Sequence, residues 1–483
     1  MTWTSTTGVV LRDLVPAGTR RSWVEAGHCP DRDLHSLFRD RVARHPRRTA
    51  VIDDAGAMDY AALDRAVRRL ATSLRDYGPA DIIGLDLPNG REAVVAELAV
   101  AAIGAVAVHL PDGGSPVVST VLTDVSEALE SDEDVPWSPV AVDPEAPARI
   151  LVSSGSEAAP KLVAYSHNAF AGGRGNYVRA VHGVTAVPRD LVLVPLASAF
   201  GSFGAAITLC RFGGTLMLQR RFDAAAALRV VADHRPTHVF GVPTMLRRMT
   251  ELASTMDTSS IRAVVSSGDV LTPETLAVTR AAFDRPVINI YGSSDGVNCH
   301  TSTPGHGVGR PDPAVTDIRI GDGEICALGP MTPLCYVDAP ELDARHRLPG
   351  GWVRTGDEGF LDPDGTLHVV RRLKRVVIRG GYTISPAEVE LALGGHPGVA
   401  EVACVPVPDP DLGERLCACV AVRPGHPPPS LGQLAEFLRD RGVSRRKHPE
   451  RLLLLPELPL GRTGKVCLRT VARLAAERHG ALL

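Results

Sequence analysis

The stretch ILVSSGSEAAPKLVAYSH, residues 150–167, places two apolar runs on either side of a loop of small residues. The first run, residues 150–152, is made of isoleucine, leucine and valine, which favour a buried strand. Serine, glycine and alanine follow, and the loop closes on Pro160 and Lys161. Backbone N–H groups and hydroxyls in such a loop bind phosphate. The stretch therefore predicts a strand leading into a phosphate-binding loop, although its spacing is not that of the common nucleotide loop.

Length and charge narrow the class of protein. A chain of 483 residues with a net charge of −3 predicts more than one domain and no general attraction to nucleic acid or anionic membranes. The first residues lack the pattern of a signal peptide, and the longest apolar run, residues 98–108, is too short to span a bilayer. Cys417 and Cys419 have no second cysteine pair with which to form a zinc site. We expect a cytoplasmic protein.

The basic residues are distributed unevenly between two types. Arginine accounts for all but four of the 52 basic residues, and the four lysines are Lys161, Lys374, Lys447 and Lys465. A lysine is a compact charge on a flexible stem, whereas arginine is a planar fork. Two of the lysines, Lys161 and Lys465, follow glycine- and hydroxyl-rich segments, so they are candidates for contact with phosphate.

The order of elements along the chain indicates an α/β fold. Residues 33–46 and 60–78 carry apolar residues at helical spacing, and short apolar runs separated by helical patterns indicate a wound sheet. After residue 350 the pattern changes to hairpins. Ser385, Pro386 and Glu388 predict a helix start with a capping box. We place a domain boundary in the basic run, giving domains 1–373 and 374–483.

Five stretches, in chain order, resemble the motifs of the adenylate-forming superfamily, which includes acyl- and aryl-CoA ligases, stand-alone adenylation enzymes and luciferases. They are SSGSEAAPK (153–161), YGSSD (291–295), WVRTGD (352–357), RRLKRVVIRGGYTISPAEVE (371–390) and PLGRTGK (459–465). The resemblance implies a large N-terminal domain of wound β-sheets with helices and a small β-barrel-like part. A small, mobile α+β C-terminal domain would carry the adenylation lysine.

The resemblance also implies a reaction in two halves. A carboxylate attacks the α-phosphate of ATP, giving acyl-AMP and pyrophosphate, and a thiol then takes the acyl group. ATP and Mg²⁺ would be cofactors, and CoA or the phosphopantetheinyl group of a carrier protein would be the acceptor. Neutralising the polyphosphate and holding the carboxylate in line are the physical demands of the first half.

Each motif is assigned a role by the resemblance. Lys465 would bridge the acid carboxylate and the α-phosphate, Lys161 would assist at the outer phosphates, and Asp295 would hold Mg²⁺ where relatives have glutamate. Lys374 would be the hinge between two orientations of the C-terminal domain. The residues expected to bind ATP or AMP are Ser153, Ser154, Gly155, Ser156, Tyr291, Gly292, Ser293, Ser294, Asp357, Arg372 and Lys465.

The phosphate loop departs from the family pattern. Glu157 stands where relatives usually have threonine, and Ala158 stands where they have glycine. A carboxylate adds negative charge near the polyphosphate, so we expect the loop to bind ATP less tightly than in relatives. We expect Glu157→Thr to lower the apparent KM for ATP.

The flanking sequence is similar to that of aryl-acid adenylating enzymes, but the acyl pocket differs. Where that group carries His-Asn-Phe, this chain has Ser198, Ala199 and Phe200. An α-amino acid is disfavoured, because residues 195–204 contain no aspartate to meet its amine. We expect a small aryl or alicyclic acid, used in bacterial secondary metabolism. The pocket residues would be Ser198, Ala199, Phe200, Phe203, Ser267, Gly268 and Asp269.

Two alternatives remain open at this level. A relative that adenylates nitrite and diazotises an aryl amine would not need polar groups facing a carboxylate. A degenerate, non-catalytic nucleotide-binding protein would explain Glu157. In each case the expected partners are small molecules, with a separate carrier protein as a further option, and the chain would be a monomer or homodimer without nucleic acid or membrane.

Overall fold

The structure is a computed structural model that describes residues 1–110, 117–131, 133–153, 161–183, 187–373, 375–461 and 465–479. Its strands, in chain order, are β1 Thr2–Thr4, β2 Val10–Arg12, β3 Thr49–Asp53, β4 Gly56–Asp59, β5 Ile82–Leu85, β6 Val106–His109, β7 Thr120–Leu122, β8 Pro147–Val152, β9 Leu162–Ser166, β10 Arg189–Val192, β11 Thr215–Leu218, β12 His238–Gly241, β13 Ala263–Ser267, β14 Val287–Gly292, β15 Asn298–Thr301, β16 Asp317–Gly321, β17 Glu324–Leu328, β18 Cys335–Tyr336, β19 Val353–Leu361, β20 Leu367–Arg372, β21 Val377–Arg379, β22 Tyr382–Ile384, β23 Val399–Asp409, β24 Gly413–Val422 and β25 Arg451–Leu455.

Helices alternate with strands through most of the chain. The α-helices are α1 Ala17–Glu25, α2 Leu34–Arg44, α3 Tyr60–Ser73, α4 Arg91–Ala102, α5 Ser126–Glu130, α6 Arg174–His182, α7 Ala224–His234, α8 Pro243–Thr250, α9 Pro273–Phe283, α10 Pro340–His346, α11 Pro386–Leu393, α12 Leu431–Asp440 and α13 Leu468–His479. Wider π-helical turns occupy Ala169–Gly173 and Gly204–Arg211, and short 3₁₀ turns occupy Ala253–Thr255, Pro349–Gly351 and Arg445–Lys447. A bilayer crossing would need a longer and more apolar helix than any in the described part of the chain.

Two large, mostly parallel sheets form the body of the fold. One has eight strands in the order β15-β14-β13-β12-β10-β11-β3-β4, and the other has six in the order β18-β9-β8-β6-β5-β7. Helix α4 packs against β5 and β6 of one sheet and β3 of the other. All its residues from Ala93 to Ala102 are buried, which explains why the sequence of α4 is apolar on every side. The mixed α/β class is confirmed.

Two smaller sheets complete the chain. An antiparallel sheet in the order β16-β17-β19-β20 carries Asp357 and Arg372, and a five-stranded sheet contains β21 to β25. The last sheet has its own apolar core on each face, with Leu416 and Leu434 on one side and Cys417 and Val471 on the other. This part of the chain therefore buries apolar surface independently of the large sheets.

The start of α11 differs from the capping-box prediction. Ser385 is the N-cap residue and Pro386 follows it, as expected, but the Ser385 side chain makes no capping hydrogen bond. The Glu388 carboxylate turns outward and pairs with the Lys447 ammonium at 2.7 Å. A charged partner outside the helix has therefore displaced the local cap.

All nine cysteines are free thiols. Eight of them are buried, and Cys467, at the base of α13, is partly accessible. The sulfur atoms of Cys417 and Cys419 lie 3.9 Å apart inside the last sheet, where they fill apolar space. A hydrogen bond with Thr470 lowers the pKa of Cys467, whereas burial raises the pKa of others such as Cys335.

Candidate active site

The predicted nucleotide residues Tyr291, Asp357 and Arg372 meet at one place. Asp357 and Arg372 face each other across β19 and β20, and the Arg372 Nε lies 2.8 Å from Asp357 Oδ1. The Tyr291 hydroxyl, near the end of β14, donates to Asp357 Oδ2 at 2.7 Å. Asp357 is only 5% exposed. Burial and the Asp357 carboxylate hold the pKa of Tyr291 well above its ordinary value, so its phenol remains a donor.

This geometry refines the role expected for Asp357. Both carboxylate oxygens already accept hydrogen bonds from protein groups, while a carboxylate offers about four acceptor positions. A ribose that binds here must share Asp357 with Arg372 or displace it. Tyr291 is bonded to the same carboxylate, so its ring is held beside the predicted ribose position.

Asp295 is held by a tyrosine that the motifs did not include. The Tyr336 hydroxyl, on β18, donates to Asp295 Oδ1 at 2.6 Å. The Lys161 ammonium lies 5.6 Å from the centre of the same ring. Asp295 Oδ2 accepts no hydrogen bond in the described part of the chain, so a hard cation such as Mg²⁺ fits there, with water filling the gap left by the shorter side chain.

Other motif residues shape the surrounding backbone. The Ser294 carbonyl accepts from the buried Tyr165 hydroxyl at 2.6 Å, and the Ser293 hydroxyl accepts from the Asp295 amide at 3.1 Å. Gly292 ends β14. Ser153 and Lys161 close the base of the phosphate loop, because the Ser153 amide donates to the Lys161 carbonyl at 2.8 Å. These contacts fix the two ends of the predicted phosphate loop.

Lys465 reaches across from the C-terminal segment to the loop after β13. A Cβ built on Gly268 would lie 2.7 Å from its Cε and 3.0 Å from its Nζ. Gly268 has a φ of +92°, a conformation that only glycine adopts freely. Burial lowers the pKa of Lys465, Asp269 opposes that shift and Arg372 adds to it. The ammonium is thus between the predicted acid pocket and the Asp357–Arg372 pair.

The acyl-pocket residues are partly committed to local structure. The Ser198 hydroxyl donates to the Pro195 carbonyl and accepts from the Gly201 amide, and the Ala199 carbonyl accepts from Arg174. Phe200 remains partly exposed. Phe203 is fully buried, and its ring centre lies 4.7 Å from that of Phe240, so it forms the wall behind Phe200.

The loop after β13 supplies the remaining pocket residues. The Ser267 hydroxyl is bonded to the Ile290 carbonyl at 3.0 Å, and Asp269 accepts from the Val270 amide at 2.8 Å. Asp269 therefore caps the turn after β13, and its charge also reaches Lys465. Ser154, Gly155, Ser156, Glu157, Ala158 and the hinge Lys374 lie outside the described residues.

Tyr336 and Tyr165 are the functional candidates that sequence reasoning missed. Tyr336 lies 173 positions after Val163 in the chain, yet the two residues are neighbours because β18 pairs with β9. No local motif marks such a long-range contact. Tyr165 lies two positions before His167 in the quoted stretch. The available signal for its role was that a tyrosine, with a polar hydroxyl, stands on a strand predicted to be buried.

We expect Tyr336→Phe to raise the Mg²⁺ concentration needed for half-maximal pyrophosphate exchange by about 10-fold, the lower end for the loss of a hydrogen-bond partner of a metal ligand. The phenyl ring would keep its packing, while Asp295 would lose its orienting donor. A Mg²⁺ titration of exchange measures this, with Tyr382→Phe in the C-terminal sheet as the control. An unchanged Mg²⁺ requirement would remove Asp295 from the metal site.

Comparisons with known proteins show which family this chain belongs to. A family model described as AMP-binding enzyme matches residues 38–117 and 109–337, and the model of the AMP-binding enzyme C-terminal domain matches residues 388–465. Triostin synthetase I of Streptomyces triostinicus is 32% identical, with 92% of this chain and 94% of that protein aligned. The salicyl-AMP ligase / salicyl-S-ArCP synthetase of Mycobacterium tuberculosis is 27% identical, with 95% and 93% aligned.

A solved structure agrees over the same length. The amide bond synthetase McbA from Marinactinospora thermotolerans superposes with a TM-score of 0.76 at 28% identity, covering 92% of this chain and 99% of that one. These matches show that the chain is an AMP-forming ligase. The chain belongs to the AMP-binding enzyme family, within the adenylate-forming superfamily. Enzymes of this family use ATP and Mg²⁺ with CoA or carrier-protein acceptors.

Proposed function

We propose that the protein activates a small aryl or alicyclic carboxylic acid as its acyl-AMP and transfers the acyl group to a thiol. The observation that carries this proposal is the position of Lys465, whose ammonium lies against Gly268 and within electrostatic reach of Arg372. A carboxylate bound in front of Phe200 and the α-phosphate of ATP would both face this charge. A preorganised ammonium at that point stabilises the negative charge that develops as the two groups react.

The acid class follows from what the pocket offers. Phe200 and the wall behind it are aromatic, and the Ser198 hydroxyl already has two backbone partners. The Arg174 Nη2 is also bonded, to the Ala199 carbonyl and the Ser202 hydroxyl, while its buried Nε has no hydrogen-bond partner in the described part of the chain. A flat or cyclic apolar acid suits such a lining. Relatives named salicyl-AMP ligase and salicylyl-CoA synthase / salicylate adenylyltransferase support an aryl acid.

Acid-dependent pyrophosphate exchange tests the proposal directly. The panel would contain hydroxybenzoates, unsubstituted aryl acids, alicyclic acids, α-amino acids, and nitrite with an aryl amine. We expect exchange with one of the first three groups. If exchange occurred only in the reaction with nitrite and an aryl amine, the diazotising alternative would be favoured. That alternative is suggested by Ala199, which stands where aryl-acid adenylating enzymes carry asparagine. ATP binding without exchange for any compound would favour the non-catalytic alternative.

The acceptor is tested separately. Acyl-AMP formed by the enzyme would be offered CoA, a phosphopantetheinylated carrier protein and an amine in parallel reactions. We propose a thiol acceptor, so the product should be a thioester that neutral hydroxylamine cleaves. An amide as the sole product would overturn that part of the proposal and would align the chain with the amide bond synthetase that it resembles in fold.

We also propose that the chain divides at Lys374 into domains 1–373 and 374–483, and that the second rotates between the two half-reactions. The residues on either side of Lys374 are each bonded to a different part of the chain. The Leu373 amide donates to the Gly356 carbonyl at 2.8 Å, and the Arg375 guanidinium pairs with Glu390 of α11 at 2.5 Å. A change in the backbone torsions of Lys374 would therefore move one anchored unit relative to the other.

Lys374→Pro should block that rotation, because proline fixes φ near −65° and removes the N–H. We expect one half-reaction to be strongly reduced and the other largely kept. Pyrophosphate exchange and thiol transfer from pre-formed acyl-AMP measure the two halves, and Lys374→Ala is the matched control. Equal retention of both halves would contradict the rotation, and equal loss would indicate misfolding, which circular dichroism would show.

A further inference from the structure

Behind the acyl pocket, three side chains meet whose chemistry the ligase reaction does not use. His182 is the last residue of α6, Asp190 lies on β10 and His238 lies on β12. Strands β10 and β12 are parallel neighbours, and Asp190 and His238 are register partners. One ligand atom from each of the three lies within 4.8 Å of the others. Two imidazoles and a carboxylate form a donor set typical of zinc-class ions.

Two of the three groups, His182 and Asp190, are buried without all the partners that burial usually requires. Asp190 is 0% exposed, and the side chain of His182 is 2% exposed. The His182 Nε2 and Asp190 Oδ1 atoms are 3.0 Å apart, but neither makes an angularly acceptable hydrogen bond in the described part of the chain, nor does His182 Nδ1. Buried polar atoms are nearly always paired with protein, water or an ion. We propose that His182, Asp190 and His238 bind one divalent transition-metal ion of the zinc class.

Surrounding contacts prepare the ligands for this role. The Thr208 hydroxyl donates to Asp190 Oδ2 at 2.7 Å, which leaves Oδ1 directed at the histidines. The Thr237 hydroxyl donates to the Arg189 carbonyl and lies 3.0 Å from His238 Nδ1. Its oxygen can then accept the Nδ1 proton. The His238 ring also has a hydrogen bond with the Val181 backbone, which a metal ion at Nε2 would have to displace. Such outer partners orient ligands in metal sites.

Charge and access bear on the affinity. His182 ends a helix, and the C-terminal end of a helix dipole favours a cation. His182 also lines an open pocket of about 410 Å³, through which an ion and a water as fourth ligand can reach the site. Arg179 and Arg211 line the same pocket, and their charges oppose the ion. These two charges therefore lower the affinity expected for an ion at this site.

A metal here would stiffen the wall of the acyl pocket. The ring centre of Phe240 lies 6.0 Å from that of His182 and 4.7 Å from that of Phe203, and Phe203 stands behind Phe200. The ion would link the end of α6 to β10 and β12 at this wall. Its removal should raise the KM for the acid by several-fold and leave the KM for ATP unchanged.

Cobalt titration of the full-length, chelator-treated protein tests the proposal without nucleotide. We expect one Co²⁺ per chain, with the visible absorption of a four-coordinate ion and a raised melting temperature. Asp190→Asn and His238→Gln should lose both effects. His234→Gln, at the end of the neighbouring helix α7, should keep them, and so should Asp295→Asn, which separates this site from the expected Mg²⁺ site.

X-ray absorption of the wild-type cobalt complex provides a readout that does not depend on variants folding. Two imidazole nitrogens in the metal shell are expected. An absence of saturable binding, a shell without histidine, or binding that disappears with Asp295→Asn would overturn the proposal. In that case the three residues form an internal polar network without a metal ion.

Discussion

Lys465→Ala is expected to lower acid-dependent pyrophosphate exchange by about 10²-fold or more, the scale of removing one preorganised charge donor. In the proposed function the ammonium lies between the predicted acid pocket and the predicted nucleotide residues, where charge would develop only during the adenylation half. Thioester formation from supplied acyl-AMP should therefore continue. Exchange and thiol transfer are measured on the same preparation, so that a general loss of folded protein would appear in both.

Lys447→Ala is the matched control for this substitution. Lys447 belongs to the same C-terminal region, but its ammonium pairs with Glu388 at 2.7 Å on the surface. Exchange should remain near the wild-type value in this variant. If Lys465→Ala behaved like Lys447→Ala, the assignment of the adenylation lysine would be wrong, and with it the main support for the proposed function.

Asp357→Asn should raise the KM for ATP by roughly 10²-fold, because two hydrogen bonds from ribose hydroxyls to a charged acceptor contribute about 3 kcal/mol in total at the lower end of their range. The variant also leaves Arg372 without its carboxylate at 2.8 Å, which adds an unpaired cation to the site. The KM for the acid should change little. Isothermal titration with ATP and steady-state exchange kinetics both measure the effect.

The neighbouring residue provides the control. Glu358 makes an equivalent pair with Arg371, at 2.6 Å, on the same two strands. Glu358→Gln removes a similar charge from the same sheet, but alternation along β19 directs its side chain away from Asp357. We expect its KM for ATP to stay within a factor of about two of the wild-type value, given the small contribution of surface ion pairs. Equal effects in the two variants would indicate electrostatics of the sheet rather than contact with ribose.

The class of fold is confirmed, while the nucleotide-binding residues stay a prediction. Both could be inferred from the sequence because both depend on local patterns. The apolar run of β8 and the helical spacing of α3 can each be recognised within a short segment. The motifs that contain Asp357 and Asp295 are also continuous in sequence. The pairing of Asp357 with Arg372 follows from a single hairpin. These features need no knowledge of how distant segments meet.

The contacts that sequence reasoning missed all join distant segments. Tyr336 reaches Asp295 only because β18 adds to the edge of the six-stranded sheet. The capping box at Ser385 failed because Lys447, far along the chain, competes for Glu388. Likewise, His182, Asp190 and His238 come together through strand order. Local patterns contain no information about such partners.

The burial of the cysteines gives the protein a native labelling site. Eight thiols are enclosed, while Cys467 is partly accessible, has a lowered pKa and follows Lys465 by two positions. A maleimide dye added to the folded chain would therefore attach at this thiol first. Because Cys467 is so near Lys465, the rate of attachment would follow the docking and release of the adenylation lysine in solution, with no substituted residue and no turnover.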